Sequence, residues 1–424
     1  MGFRKPRKVI GVDIGTHAVK TVLMSRAGGR LKVEQAAMCP IDRNLMNLDP
    51  VKAQEEAVRT TLEKMPVSQC LIVGALTGQT VVVRYPRLTD VPKERLESEV
   101  AKEAANSIPY DLKDVFLDWV VLEEYSEEGR QLTKVLLVAA RKEVVDVRLQ
   151  VMRAAGLECG ILGVDSLALA DAAEACDFFM MNETVALINI GLSSSSIQFV
   201  KNGVSNFIRD VNWGARELIQ SVAKGMRCNY EQALERLEGY SLDHTAVPEA
   251  LEAGGIESSA FAHMDSTGGF SQVESGGYGH FETPYLEDIP QAGSYLDPLD
   301  DEQGLLESDL SYLDSSLGKG ASVFDLVVTP LNRLGVELRR SFDYYEHQLY
   351  EQPVDRILIS GGPVAFAPLV ESLQEVLNFS DIEIVNPAAS ALLVSEESSL
   401  SAFHSHPAQF AVAVGLAARG MVEI

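Results

Sequence analysis

Residues 8–25 read KVIGVDIGTHAVKTVLMS, and this stretch decides the fold. Residues 9–14 form an apolar run, a turn carries Gly15, and residues 20–25 form a second run. The pattern predicts a β-hairpin with Asp13-Ile14-Gly15-Thr16-His17-Ala18-Val19-Lys20 about its tip. Glycine in such a tip lets backbone N–H groups come close to a phosphate. A carboxylate at the end of the first strand, Asp13, can position the water shell of Mg²⁺, which keeps its waters and takes few protein ligands. Thr16 adds a hydroxyl and Lys20 a charge within reach of phosphate oxygens, while His17 is expected to point to solvent. Taken alone, this is any glycine turn between two strands.

The chain then writes it again, about 176 residues on. Residues 184–189 are an apolar strand, Asn189-Ile190-Gly191-Leu192-Ser193-Ser194-Ser195-Ser196 is the turn, and residues 196–201 return. Asn202-Gly203 is a hairpin signal before a third strand at residues 204–210. Gly191, Ser193 and Ser194 can cradle phosphates through amides and hydroxyls, and two facing hairpins can grip a phosphate chain between two halves. A third element, Ile359-Ser360-Gly361-Gly362-Pro363, ends a strand before a helix. Its paired glycines, Gly361 and Gly362, permit close approach by a flat base or a ribose. Walker A, post-strand G-x-G-x-x-G and H-E-x-x-H motifs do not occur, which disfavours P-loop, Rossmann and zincin readings.

Composition sets the outer limits. The 424 residues are 46% apolar and 23% charged, as in ordinary globular proteins. No apolar run is long enough for a membrane span, and the first residues lack a signal-peptide core, so a cytoplasmic protein is expected. Cys39, Cys70, Cys159, Cys176 and Cys228 are scattered without a C-x-x-C pair and read as reduced thiols. His404 and His406 have no further ligand at metal spacing and read as loop residues. A net charge of −25 argues against nucleic-acid binding.

Domain boundaries follow from the patterning. Residues 1–78 form the first half, with strands at 9–14, 20–25, 31–38 and 71–76 and a helix at 50–64. Residues 79–156 carry a β-α-β-β-α order: strands at 80–85, 116–124 and 132–140, helices at 92–107 and 142–155, the last stopped by Gly156. Residues 157–183 return to the first half, and residues 184–240 open the second, with helices at 214–225 and 229–237. Residues 241–320 hold 16 Asp plus Glu against one Lys, with 11 Gly and 11 Ser. Such composition buries too little apolar area to offset the entropy of ordering, so a disordered insertion is expected, with short structure at 305–313. Residues 321–424 complete the second half: a helix at 323–348 bent near Pro330, a strand at 356–360, a helix at 367–377, a strand at 382–385 and a final helix at 409–420 ended by Gly420.

In order, the three glycine elements resemble the phosphate 1, phosphate 2 and adenosine motifs of the actin/Hsp70/sugar-kinase superfamily. The opening KVIGVDIGTHAVKTVLMSRAGGRLKVEQAA is similar to the start of the PilM family of type IV pilus assembly proteins. So are ESEVAKEAANSIPYDLKDVFLDWVVLEE, VLLVAARKEVVDVRLQVMRAAGLECGILGVDSLALA, ELRRSFDYYEHQ and RILISGGPVAFAPLVESLQEVL. The resemblance implies an α/β fold of duplicated actin-like (ribonuclease H-like) halves with an inserted FtsA-type α+β subdomain. It implies ATP with Mg²⁺ between the halves. Its implied partner is the short cytoplasmic tail of a bitopic inner-membrane protein, PilN-like, in a groove beside the subdomain. Pilus motor or ring components and a second copy of the chain are further candidates, and the location would be cytoplasmic, peripheral to the inner membrane through partners.

One departure matters. The family's second phosphate motif usually begins with Asp, and here Asn189 stands there, so slow hydrolysis is expected. The rival readings are a type II secretion homologue, an FtsA-like cytoskeletal protein, and a sugar-kinase-like phosphotransferase. The last would need a carboxylate base. Asp165 is nearest by order, but is expected to be a structural cap. Against the FtsA-like reading, no amphipathic membrane helix is expected at residues 418–424.

Overall fold

The computed structural model describes residues 8–245, 322–395 and 400–422. Strands β1 (Lys8–Ile14), β2 (Ala18–Ala27) and β3 (Arg30–Pro40) run antiparallel in sequence. Helices α1 (Arg43–Leu48) and α2 (Pro50–Leu62) lead to β4 (Leu71–Leu76), which lies parallel to β1. The chain then leaves for the inserted unit: β5 (Val81–Arg84), β6 (Arg87–Thr89), α3 (Leu96–Ser107), β7 (Val115–Glu127), β8 (Arg130–Arg141) and α4 (Lys142–Ala154). It returns through β9 (Cys159–Val164), parallel to β4, and α5 (Asp165–Ala175).

The second half repeats that plan. β10 (Thr184–Ile190), β11 (Ser195–Lys201) and β12 (Val204–Val211) are antiparallel, followed by α6 (Arg216–Met226), α7 (Tyr230–Thr245) and α8 (Val323–Asp343). β13 (Arg356–Gly361) lies parallel to β10, and α9 (Ala367–Leu377) and β14 (Ile382–Ile384) follow. β15 (Leu393–Val394), α10 (Ser401–Ser405) and α11 (Ala411–Val422) finish the described chain. The sheets read β15-β3-β2-β1-β4-β9 and β12-β11-β10-β13-β14, so the two halves share one strand order beyond the edge strand β15. This is the duplicated actin-like fold.

The central strands are apolar on both faces, as buried strands must be. In β1, Ile10, Val12 and Ile14 meet Ala53, Ala57 and Val58 of α2, while Val9 faces α11. In β10, Ile188 and Ile190 face α8 and α9, while Val185 and Leu187 face α5. Helix α5 therefore lies between the halves, giving Ala168 and Ala172 to the first and Leu169 and Ala173 to the second. Helix α11 is buried nearly throughout, and its Gly415 crosses α5 so closely that an added Cβ would sit 1.7 Å from the Ala168 carbonyl oxygen.

One expectation changes. Gly420 does not stop the last helix but lies inside it, where a side chain would reach within 2.7 Å of Val9 and 2.8 Å of Val73. It is small because α11 presses on β1 and β4. Pro330 sits inside α8 without ending it. Proline lacks the N–H that would reach the Leu326 carbonyl, and Ser221 Oγ donates to that oxygen instead, at 2.6 Å. Elements α1, β6, β9 and β15 were not anticipated from periodicity. Helix α7 runs five residues past position 240. The remainder of the expected insertion, 246–320, with its piece at 305–313, lies outside the described residues.

In the inserted unit, β8 pairs with β5, β6 and β7, and α3 covers one face through Val100 and Ala104 packed on Val115, Val135 and Leu137. Among the described residues β7 pairs only with β8, and Phe116 and Val120, on the face opposite Trp119, are half exposed.

Candidate nucleotide cleft

The two glycine hairpins have the same local chemistry. Gly15 N–H donates to the Ala18 carbonyl at 3.2 Å, and Gly191 N–H to the Ser194 carbonyl at 2.9 Å. A side chain at either glycine would crowd the same carbonyl, at 3.1 Å and 2.8 Å. These two amides thus close their own turns. The tips face one another across a cleft, where Ser193 Oγ donates to Thr16 Oγ1 at 3.2 Å and Arg216 Nη2 donates to Ser193 Oγ at 3.0 Å. Register places Asp13 opposite Lys20 in one hairpin and Asn189 opposite Ser196 in the other.

The cleft holds about 600 Å³, within the range of small-molecule sites. Asp13, Gly15, Thr16, His17, Lys20, Asn189, Gly191, Ser193, Ser194, Gly361 and Gly362 all line it. Residues scattered over nearly 350 positions of sequence are thereby brought to one cavity. Lys20 Nζ lies 3.1 Å from Asp13 Oδ2, so its side chain turns into the cleft. His17 is exposed at the mouth; partial burial there, then the charges of Lys20 and Arg43, lower its proton affinity and leave it neutral at pH 7. Gly361 has φ 108°, and its Cα approaches the Ile190 carbonyl so closely that a Cβ would lie 2.0 Å from that oxygen. Only glycine fits there.

Two more carboxylates stand at the polar end: Asp165, weighed from the sequence as a cap or a rival base, and Asp210, which sequence reasoning missed. Asp165 begins α5 and does act structurally, accepting from the Gly78 and Ser166 N–H groups at 2.9 and 2.7 Å, but it also lines the cleft. Asp210, on β12, sits on the other side of Gly78, 2.5 Å from where a Cβ would be. Burial, then the nearby Asp13 charge, pushes Asp165 up to about 6. Burial, then Asp165, pushes Asp210 up to about 7. A lone Asp carries no spacing signal, so nothing in the primary structure pointed to Asp210. Among the described residues, no group of three or more His, Cys, Asp or Glu side chains could hold a metal by itself.

These shifts set a pH dependence for the ligand-free protein. An unfolded aspartate titrates near 3.9, below both folded values. Between about pH 4 and pH 7 the folded chain binds more protons, so these two groups make stability fall as pH rises through that window and level off above it. Asp210→Asn is expected to flatten the fall in unfolding midpoint between pH 5 and pH 7.5. An unchanged slope would exclude Asp210 as a source.

The cleft lining also includes an apolar group, with Glu238 beside it. Leu234 and Leu237 of α7 face Phe366 and Ala365 beyond the Gly361-Gly362 turn. Tyr230, the first residue of α7, also lines the cleft. The cleft can therefore take a ligand with an anionic tail and a flat apolar head.

A family model described as type IV pilus assembly protein PilM matches residues 11–244 and 320–421. The solved PilM-PilN type IV pilus biogenesis complex contains a chain 20% identical, covering 99% of both chains with a TM-score of 0.68. The ethanolamine utilization protein EutJ from Carboxydothermus hydrogenoformans is 11% identical, covering 97% of this chain and 90% of that one, at a TM-score of 0.47. The activator of the 2-hydroxyisocaproyl-CoA dehydratase from Clostridium difficile, with bound ADPNP, is 12% identical, covering 98% and 95%, at 0.44. Among the described residues no helix is long and apolar enough to cross a membrane.

Proposed function

The chain belongs to the type IV pilus assembly protein PilM family, and on that footing we propose that it is an ATP-holding scaffold that docks the short cytoplasmic tail of a PilN-like inner-membrane protein. The observation that carries the nucleotide half is the pair of matched hairpins facing across one cleft, Thr16 to Ser193 at 3.2 Å, with Lys20 lining the same cleft. ATP would lie with its phosphates between the tips, near Gly15, Thr16, Lys20, Gly191, Ser193 and Ser194. Its base would lie beyond Gly361 and Gly362. Mg²⁺ would supply charge neutralisation for the phosphates, with Asp13 holding its water shell. Asn189 offers an amide where a carboxylate would polarise that water, so the ligand is held more than consumed.

The docking half is supported by the likeness to the chain solved in the PilM-PilN complex. In this chain the unit at 79–156 offers β7, a thirteen-residue strand with one edge unpaired among the described residues and with Phe116 and Val120 half exposed. An extended peptide can add to such an edge, main-chain bonds giving affinity and alternate side chains specificity. This reading places the protein in the cytoplasm, at the inner membrane through its partner.

Calorimetric titration tests both halves with the same preparation. Mg-ATP is expected to bind, with turnover no faster than in Asp13→Ala. A peptide copying the partner's cytoplasmic tail is expected to bind wild type and to lose about tenfold or more with Phe116→Asp/Val120→Asp, as burial of two apolar side chains implies. The unfolding midpoint of that variant should hardly move, because both side chains are half exposed. Rapid ATP turnover would overturn the holding role, and equal peptide affinity would move the docking site elsewhere. The phosphotransferase reading has one observation in its favour, the raised proton affinity of Asp165 within the cleft. ATP consumption that depends on an added hydroxylated substrate would favour it.

A further inference from the structure

The end of the first sheet away from the cleft is basic. The first 40 residues hold eight Lys or Arg against two Asp or Glu, in a chain whose net charge is −25. Strand register gathers most of these cations. Lys8 pairs with Ser25, Ser25 with Lys32 and Ala27 with Arg30, so Lys8, Arg26, Arg30 and Lys32 stand at the opposite end of the strands from the Gly15 tip. Arg4, Lys5 and Arg7 precede Lys8 in the sequence. Of the two acids, Asp13 lines the cleft, and Glu34 is paired with Lys8 at 2.5 Å.

The same end carries exposed apolar side chains. Met180 and Met181, between α5 and β10, are 61% and 90% exposed, and Val422 at the end of α11 is 67% exposed. The methionine loop is held in place. Buried Arg356 donates to the Phe178 carbonyl and, at 2.9 Å, to Glu183, which in turn accepts from the Met180 N–H. Phe178 and Phe179 pack on the core, so the two methionines are left outside. Contacts join this loop to the basic end. The Ala391 N–H donates to the Cys176 carbonyl at 3.4 Å, and the Ala391 carbonyl accepts from Arg30. Arg26 donates to the Met421 carbonyl at 3.3 Å, beside Val422, and Arg419 reaches Asp171 of α5 at 3.2 Å. Glu174 and Asp177 are the exposed acids beside the loop. Met181 projects from the surface, so it enters a partner more readily than it receives one. Projecting apolar side chains flanked by Lys and Arg match the boundary between anionic headgroups and acyl chains. We propose that this end of the molecule rests on an anionic bilayer, Met180 and Met181 entering the headgroup layer while Arg26, Arg30 and Lys32 meet lipid phosphates. The contact depends on neither the nucleotide nor the tail reading.

The test is sedimentation of the full chain at low salt with vesicles of equal parts phosphatidylcholine and phosphatidylglycerol, and with vesicles of phosphatidylcholine alone. Wild type is expected to sediment with the mixed vesicles and to bind the neutral ones about tenfold or more weakly. Met180→Ser/Met181→Ser should lose about tenfold or more on mixed vesicles, as withdrawal of two apolar side chains implies. Arg30→Gln/Lys32→Gln should lose a similar factor there and little on neutral vesicles. Both variants should bind Mg-ATP as wild type does, because the loop lies at the other end of α5 from Asp165. Wild type that stays in the supernatant with mixed vesicles overturns the proposal, and so does a methionine variant that sediments like wild type. A dimer of wild type in light scattering that the methionine variant abolishes, with no vesicle binding, overturns it in favour of a second copy of the chain.

Discussion

Gly415→Val is expected to lower the unfolding midpoint by about 10 °C or to prevent recovery of folded protein. At this position an added Cβ would lie 1.7 Å from the Ala168 carbonyl oxygen and 3.0 Å from the Ala172 nitrogen. Both are backbone atoms of α5, so no flexible side chain can swing away. Relief requires α11 and α5 to separate, and these two helices lie between both sheets, packing on β1 and β4 on one side and on Val185 and Leu187 on the other. Overpacking a core costs about 1–3 kcal/mol and occasionally more, and a rigid double contact belongs at the upper end. At about 2–4 °C per kcal/mol for domains of 150–250 residues, that gives the stated shift. Gly239→Ala is the matching control. It lies within α7, an added Cβ there meets nothing within 4 Å, and alanine should be neutral or stabilising by up to about 1 kcal/mol. A Gly415→Val midpoint within 2 °C of wild type would mean that the helices do not cross at this distance.

Lys20→Met is expected to weaken ATP binding by about 100-fold. Three carboxylates, Asp13, Asp165 and Asp210, line the polar end of the cleft, and Lys20 is the cation within hydrogen-bond reach of Asp13 there. Charge-assisted hydrogen bonds contribute about 1.5–3 kcal/mol, and a phosphate brought to an end left with uncompensated carboxylates also meets repulsion. Methionine keeps the length and apolar stem while removing the charge. Titration with a fluorescent ATP analogue reads the change, and raising ionic strength should narrow the gap between wild type and variant. Binding within threefold of wild type would remove Lys20 from the phosphate site.

Much of this cleft was legible in the primary structure because hairpins announce themselves locally. Residues 9–14 and 184–189 are apolar runs each followed by a glycine turn, and the repetition of that pattern made each half interpretable. All eleven expected contact residues line one cavity because they sit at strand ends or in the turns beside them, and parallel pairing of β10 with β13 brings Ser360 beside Asn189. The residues that escaped notice lack such a signature. Asp210 is an inward-facing side chain on an edge strand, and Tyr230 is a helix-start aromatic that becomes a cleft residue only when Arg43 stacks on it across the chain. Gly420 misled because a glycine near a helix end usually marks a stop, whereas here close packing on Val9 requires it. Short elements such as β15 and β6 have too few residues to show a period.

The placement of α11 has a consequence for how the protein is made. One core cluster unites Val9, Val22, Met24 and Val73 with Phe403, Phe410 and, from α11, Val412, Val414, Leu416 and Met421. On the ribosome, β1 must wait for this covering helix until nearly four hundred further residues have emerged. At about 5–20 residues per second that is on the order of half a minute. Throughout that interval β1 presents an apolar face with nothing to bury it, so the nascent first half is the form that holding chaperones should capture, and release should follow translation of α11.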